Sequence, residues 1–506
     1  MKPVPSTSAV IFSLSDTRKN LIIILLLLFL FLSLRLTLLG EDISNSDAAR
    51  WHIRSDSFLN ALLNKDYQKT YQHNQPGVTL MWIGALDEIL FHEDLISKQS
   101  FLSDSDNYLN VHKSSKRMLV LVLSGLFLSQ VILLKTLINA KVSYMYGLFM
   151  SLEPYVVGID RLFHVTSLES YLLFTSFLLM WSWFKTNKKV HCFISGILFS
   201  LAFLSKTTVL VMLPLFALMF FIKFRKRKSF DFALFLIPAA FFTVLLFPAF
   251  WVNPGFVYEK LFSGISNAIS SDIRAESFLG LFSFFYYPTI YLFKVSPLMF
   301  LLTALTIFNL RKKENLKPIF LILFYCLLYY IPLSISVKKI DRYLIPVFPA
   351  VFLLVSIFLD SVNVKLQKIT VGIYLLASFL ITYLYIPVYS AYYSPLFGSS
   401  NGALRFNIYT NSGQYFAQAA LYANQNLKGK EIFVPYNKES YYYLYKEKSN
   451  MRDKLEKTTD FTVLSFNKLS SEKKLQKKCP VVGAKFGSKL EGIVLILNCQ
   501  STKTTP

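Results

Sequence analysis

Thiols and imidazoles are scarce in this chain. Its 506 residues include 4 cysteines and 6 histidines, scattered at spacings that resemble no zinc site. Metal chemistry of that kind has no support in the sequence. Acidic residues are also few, 30 against 53 basic ones, which leaves a formal net charge of +23. Such a surplus invites a nucleic-acid reading, but much of it sits in short runs between apolar stretches, "KTNKK", "KFRKRK" and "RKKENLK". Those runs read as membrane topology signals and not as a nucleic-acid surface. No internal repeat stands out. Charged residues make up only 16% of the chain, whereas apolar ones reach 54% with 48 Phe. One soluble core cannot bury that much apolar surface, so the composition predicts a polytopic membrane protein.

A spanning helix needs about 20 apolar residues. Apolar segments at 20–39, 118–138, 142–159, 165–184, 190–205, 207–222, 230–250, 283–309, 318–336, 343–360 and 369–387 predict about eleven transmembrane helices. The first is preceded by Arg18 and Lys19, but its apolar run is too long for a signal peptide and "LTLLGED" offers no small-residue cleavage pattern. It reads as an anchor behind a cytoplasmic tail, 1–19. With that start, the basic runs at 185–189, 223–228 and 311–317 share the cytoplasmic side. The first loop, 40–117, and everything after about 388 then lie on the opposite, outer side.

Several unusual residues gather on that outer side. They are Asp47 with Arg50 and Arg54, "YQHNQPGV" at 71–78 with His73 and Gln75, "EPYVVGIDRLFH" at 153–164 with Glu153, Asp160, Arg161 and His164, then Lys206, Lys294, and the cluster Lys338, Lys339, Asp341 and Arg342. Single cations at helix ends often only snorkel to headgroups. Convergence of so many ionisable groups on one face of a membrane protein marks a functional site. Cations suit the stabilisation of a departing phosphate, and a carboxylate suits removal of an acceptor's proton. A transporter for an anionic or lipid-linked solute uses the same cations, and spacing alone does not separate the two.

The order of these motifs resembles that of the GT-C membrane glycosyltransferases, specifically the branch of protein O-mannosyltransferases and aminoarabinose transferases. "SDAARWHIRSDSFLNAL" looks like the acidic motif after the first span, with Asp47 in the Asp position, and "NQPGVTLMW" is similar to the His-Pro element, keeping Pro76 and Gly77. "EPYVVGIDRLFHVTS", "GILFSLAFLSK", "KKIDRYLIPVFP" and "YYSPLFGSS" follow in the family's order. The likeness covers most of 20–430. Three positions depart from the pattern: Ala48, Gln75 and Thr166 stand where the family carries polar or ionisable groups. Asp42 and Asp56 are the nearby acids able to take over from Ala48.

The resemblance implies an inverting displacement with Asp47 as general base and a polyprenyl phosphate as leaving group. Arg161, Lys206, Lys294, Lys338, Lys339 and Arg342 are its candidate phosphate ligands, and Arg50, Arg54, His73, Gln75, Glu153, Asp160, His164 and Asp341 are candidates for the rest of the substrate site. Expected partners are the lipid-linked sugar donor, membrane lipids, and an acceptor protein, lipid or glycan. No cofactor is expected: Asp47 with Glu153 can in principle hold a divalent cation, but the branch resembled is one without such a requirement. The departures also leave open an inactive relative.

"PGVTLMWIGALDEILF" has helical apolar spacing and predicts an amphipathic helix lying at the membrane interface. Beyond 388 the pattern changes to a small extracytoplasmic α/β domain, 389–506. Its end, "CPVVGAKFGSKLEGIVLILNC", reads as a hairpin whose Cys479 and Cys499 are placed to form a disulfide in an oxidising compartment. Cys192 and Cys326 fall in apolar spans and read as buried thiols.

Overall fold

The computed structural model describes residues 7–42, 47–95, 104–227, 231–270, 283–309, 316–336, 338–410, 412–456, 458–466 and 477–499. The basic segment 310–315, part of the run 223–228, and both chain ends lie outside the described residues.

Helix α1 (Thr7–Leu36) leads into α2 (Asp47–Leu63), α3 (Val78–Phe91) and α4 (Ser105–Leu137). Asp104 caps α4 by accepting from the backbone N–H groups of Asp106 and Asn107. Next come α5 (Ala140–Leu152), α6 (Pro154–Asp160), α7 (Val165–Thr186) and α8 (Lys189–Ser205). The long apolar run that reads as one span over 142–159 is interrupted here, because Pro154 starts a new helix at its first position and Glu153 sits extended before it. A bend of 110° then separates α6 from α7.

The chain continues through α9 (Leu213–Arg227), α10 (Phe232–Leu246), α11 (Ala249–Val252), α12 (Pro254–Ser270), α13 (Ser283–Lys294), α14 (Pro297–Asn309), α15 (Leu316–Ile335), α16 (Phe348–Asp360) and α17 (Val364–Tyr385). Among the described residues, five helices are long and apolar enough to cross a membrane, and the bent pair α6–α7 makes a sixth. The expectation of about eleven spans is therefore corrected. The remaining apolar segments are helical but shorter, as in Lys189–Ser205, Phe232–Leu246, Pro297–Asn309 and Ile319–Ile335. The segment 283–309 is broken at Val295–Ser296 between α13 and α14. A large apolar core runs through α1, α4, α5, α7, α8, α15 and α16, with α7 packed along its length and buried almost throughout.

Short helices α18 (Ser399–Arg405), α19 (Phe416–Asn426) and α20 (Lys438–Tyr442) accompany a five-stranded sheet. Its strands are β1 (Ile432–Phe433), β2 (Met451–Arg452), β3 (Phe461–Ser465), β4 (Val481–Gly487) and β5 (Gly492–Asn498), in the order β2-β1-β3-β5-β4. The β1 pairings are parallel, whereas β5 runs antiparallel to both β3 and β4. Cys479 and Cys499 flank the β4–β5 hairpin and are joined as a disulfide. This C-terminal unit has its own core around Phe416, Tyr441 and Val463, and that core includes Ala49 of α2 and Tyr108 of α4. It docks on the helical part through the Tyr108–Tyr443 ring stack, Lys446–Asp106 and Arg50–Glu439. The docking places it directly over the start of α2.

Candidate active site

Asp47 is the first residue of α2, and α2 presents one apolar face to the bundle through Ala48, Trp51, Ser55, Phe58 and Leu59. That packing leaves Asp47 at the edge of the buried face, against Arg342 and His164, while Arg50 one turn on reaches Glu439 of the C-terminal unit. A carboxylate in the first helical turn also suits the positive end of the helix dipole. The Asp47 side chain keeps 26% of its surface accessible, and its Oδ2 accepts from Arg342 Nη2 at 2.7 Å. Arg50 Nη1 lies 3.7 Å from Oδ1 and His164 Nε2 lies 3.8 Å from Oδ2.

Trp51, one turn along α2, organises the surroundings. Its ring meets His73 edge-on at 6.1 Å and His164 at 6.2 Å, and the Arg54 guanidinium lies over it at 4.5 Å. Gly77 makes this possible: at φ +62 it is in the left-handed region, and a Cβ there would stand 2.1 Å from the indole. The backbone of Gln75 donates to His73 Nδ1 at 3.0 Å. His73 is held below its ordinary pKa first by burial and then by Arg54, with Lys338 adding to the effect and Asp47 opposing it.

His164 Nδ1 accepts from the Thr166 backbone N–H at 3.3 Å, with the Thr166 hydroxyl 2.9 Å away. With Nδ1 an acceptor, the neutral ring carries its proton on Nε2, the nitrogen that faces Asp47. Thr166 thus orients His164 from the position where the family pattern has an acid.

Arg342, Lys206 and Arg54 all act electrostatically on His164, and Lys206 stands against Tyr343, the neighbour of Arg342 in the chain. Lys206 Nζ lies 3.1 Å from Glu169 Oε2 and 4.1 Å from the centre of the Tyr343 ring. Glu169 accepts in turn from Tyr329 at 2.9 Å and from Thr208. Arg342 and Arg50 thus hold Asp47, Arg50 is shared with Glu439 of the C-terminal unit, Lys206 pairs with Glu169, and Arg54 and Lys338 act on His73 beside them. Glu169, Trp51, Tyr329 and Tyr343 are absent from the sequence reading. Only Glu169, an acid within an apolar span, carried a signal by which to find it.

Other expected residues are placed elsewhere. The Arg161 guanidinium bonds Asp42 Oδ2 at 2.7 Å and the carbonyls of Leu34, Arg35, Thr37 and Leu38, and it is wholly buried. Asp42 also accepts from Lys116 at 2.6 Å, so Arg161 and Lys116 outweigh the burial that would raise its pKa and hold it below the usual carboxylate range. Asp160 is buried against Arg35 at 2.6 Å and accepts from Ser167 and Tyr171. The Glu153 carboxylate accepts from Ser296 and Tyr374, which ties the α5–α6 break to the α13–α14 break.

Lys294 lies 3.5 Å from Asp341 and over the Tyr393 ring at 3.5 Å, and it donates to the Tyr392 carbonyl. Asp341 accepts from Thr410 of the C-terminal unit at 2.6 Å and from the Arg342 backbone N–H at 2.7 Å. Lys339 caps the end of α15 by donating to the Leu333 and Ser334 carbonyls, and burial pushes its pKa down to about 8. Arg161, Asp160, Glu153, Lys294 and Lys339 thus spend their polar groups on holding the fold.

Asp56 does not stand near Asp47. It belongs with Asp87 and Glu88 of α3, and burial, then Asp56 and Asp87, push Glu88 up to about 9. Among the described residues, no three His, Cys, Asp or Glu side chains come together as a metal site requires.

No protein-family model matches the chain, and no curated protein matches it. Solved structures do. ArnT from Cupriavidus metallidurans bound to undecaprenyl phosphate aligns over 97% of this chain and 99% of its own, at 13% identity and a TM-score of 0.50. The same protein in the apo state aligns over 99% and 100% at 11% identity, again with a TM-score of 0.50. The Archaeoglobus fulgidus oligosaccharyltransferase in the apo form aligns over 89% of this chain and 70% of its own, at 11% identity and a TM-score of 0.49. At such identities the likeness is one of fold. The chain is a largely helical, polytopic membrane protein whose fold resembles that of ArnT.

Proposed function

We propose that the protein is an inverting glycosyltransferase that moves a monosaccharide, hexosyl or pentosyl, from a polyprenyl-phosphate carrier to an acceptor. The reaction takes place on the extracytoplasmic face of a prokaryotic inner membrane, with the C-terminal unit on that face and the N-terminus in the cytoplasm. One observation carries this reading. An accessible carboxylate, Asp47, is held between Arg342 and Arg50, with Arg54, Lys206 and Lys338 near enough to act on the neighbouring His73 and His164, in a chain that follows, end to end, the fold of a protein crystallised with undecaprenyl phosphate.

In this mechanism the acceptor oxygen or nitrogen attacks the anomeric carbon and gives its proton to Asp47. The bond from that carbon to the phosphate oxygen breaks, and its electron pair stays on the phosphate. The added negative charge is held by Arg342, with Lys338 and Arg54 around it, while Lys206, paired with Glu169, lends only its more distant field. Positioned cations of this kind stabilise a leaving group most in a site that excludes water.

The Arg342–Asp47 pair gives the cycle its order. Donor phosphate competes for Arg342, and its arrival releases Asp47 to meet the acceptor. Arg161 and Lys294 take no part in phosphate binding in this scheme, because Asp42 and Asp341 already pair with them, and the Lys339 ammonium is turned onto the Leu333 and Ser334 carbonyls.

Titration of the solubilised protein with undecaprenyl phosphate tests the phosphate site. Arg342→Ala is expected to weaken binding by about tenfold or more, the scale of one charge-assisted contact. Unchanged affinity in that variant would remove Arg342 from the site.

A further inference from the structure

The stripe of α2 that begins at Asp47 does not end at the catalytic group. Asp47, Arg50, Arg54, Ser57 and Ala61 follow one another at intervals of three or four, so they share one face of the helix. Asn64 continues the same register just past the helix end. Ser57 and Asn64, with Asn60, Asp66, Lys69 and Gln72, line a pocket of about 530 Å3. Ten residues separate Asp47 from Ser57, about 15 Å along a helix. The two places are also joined from the other side, since Gln72 of the pocket precedes His73, whose ring packs on Trp51.

The lining chemistry is distinctive. It offers one hydroxyl, three side-chain amides and the Tyr71 phenol, each able to donate or accept, and Ala61 is its only aliphatic side chain. Its single cation, Lys69, is paired with Asp66 at 2.7 Å. Such a surface has no apolar wall for a prenyl tail and no spare positive charge for a phosphate. It matches a neutral ligand dense in hydroxyl groups, and its size falls within the range of about 300–1,000 Å3 usual for small-ligand sites.

We propose that this pocket is a subsite for an extended glycan acceptor. The acceptor's reactive end lies at Asp47, and its preceding sugar units run along the Arg50–Arg54–Ser57 face to the pocket. The assignment of Asp47 as the reacting end rests on the glycosyltransferase reading. Recognition of the glycan by the pocket does not depend on it.

The test is binding of neutral oligosaccharides of one to six hexose units, beside neutral hydrophilic peptides of similar length, to the full chain in detergent. Wild type is compared with the triple variant Asn60→Ala, Asn64→Ala, Gln72→Ala and with Asp47→Asn. Affinity is expected to rise with oligosaccharide length in wild type and in Asp47→Asn. In the triple variant the long chains should fall about tenfold or more, to the level of the monosaccharide, with the thermal midpoint unchanged. Affinity independent of length, a length dependence that survives in the triple variant, or tighter binding of the peptides would each overturn the subsite. Glycan binding in a protein that transfers no sugar from any polyprenyl-phosphate donor would overturn the activity at Asp47 and uphold the pocket.

Discussion

Arg342 donates to Asp47 across 2.7 Å, though 295 residues separate them in the chain. The proposed phosphate ligand and the proposed base hold one another, which sets an expectation that no list of conserved motifs contains. Removing the carboxylate by Asp47→Asn frees Arg342 for phosphate. Undecaprenyl phosphate should therefore bind the variant at least as tightly as it binds wild type. Calorimetric titration reads this directly, and a tenfold loss of affinity in Asp47→Asn would rule out the competition.

Arg161 and Arg342 sit in motifs of similar appearance, yet they predict opposite phenotypes. Arg161→Met strands Asp42, buried, with Lys116 as its remaining cation. Breaking one side of a buried ion pair costs about 3–5 kcal/mol. The variant should express poorly or melt far below wild type. Arg342→Met removes a partner that is 14% exposed beside a carboxylate that is 26% exposed, and it should melt within a few degrees of wild type. Thermal unfolding of both variants in one detergent separates the roles.

Glu88 gives a pH dependence with a definite sign. Its carboxyl holds a proton up to about 9, because burial and then Asp56 and Asp87 disfavour its charge, against an ordinary value of 4.5. Between those values the folded protein binds more protons than the unfolded chain. Its contribution to stability is full below about 4.5 and is lost as pH rises toward 9. Glu88→Gln, which stays neutral, should raise stability at pH 8 by on the order of 2 kcal/mol and flatten the alkaline decline. Melting curves from pH 5 to 9 check it, and a wild-type slope in the variant would contradict it.

Gly77→Ala should damage the site without touching a charged group. The left-handed backbone disfavours a side chain by about 1 kcal/mol, and the new methyl meets the Trp51 ring at 2.1 Å. Trp51 must shift, and with it the seats of His73 and His164. Transfer is expected to fall more than tenfold, with a smaller effect on undecaprenyl-phosphate binding. A variant with wild-type turnover would show that the Trp51 position is not needed.

The sequence marked Asp47, Arg50, Arg54, His73, His164, Lys206, Lys338 and Arg342, and the fold brings these together. The sequence equally marked Arg161, Asp160 and Lys294, whose partners are distant: Asp42, Arg35 and Asp341 lie 119, 125 and 47 positions away by numbering, while Lys339 turns back on Leu333 and Ser334. A charge next to an apolar run looks the same whether it faces a substrate or a buried counterion. Only the pairing tells them apart, and pairing is tertiary.

Helix lengths failed for a related reason. The runs at 142–159 and 283–309 stay apolar through their breaks, because Glu153 reaches across to Ser296 and satisfies the interrupted backbone there. Hydropathy records composition and not that compensation. The β4–β5 hairpin was legible, since two apolar runs flanked a Gly-Ser-Lys turn region. Strand β1 ends at Phe433, because Pro435 follows closely and cannot extend the ladder.

The most direct test of the central claim is sugar transfer from a panel of radiolabelled polyprenyl-phosphate monosaccharides into host membrane extract, with purified wild type and Asp47→Asn assayed beside each other. Wild type is expected to transfer from at least one donor, and the variant to lose about 10²–10⁴ of that activity, the scale of a general base, while donor binding persists. Equal transfer by the two proteins, or neither transfer nor donor binding by wild type across the whole panel, would contradict it.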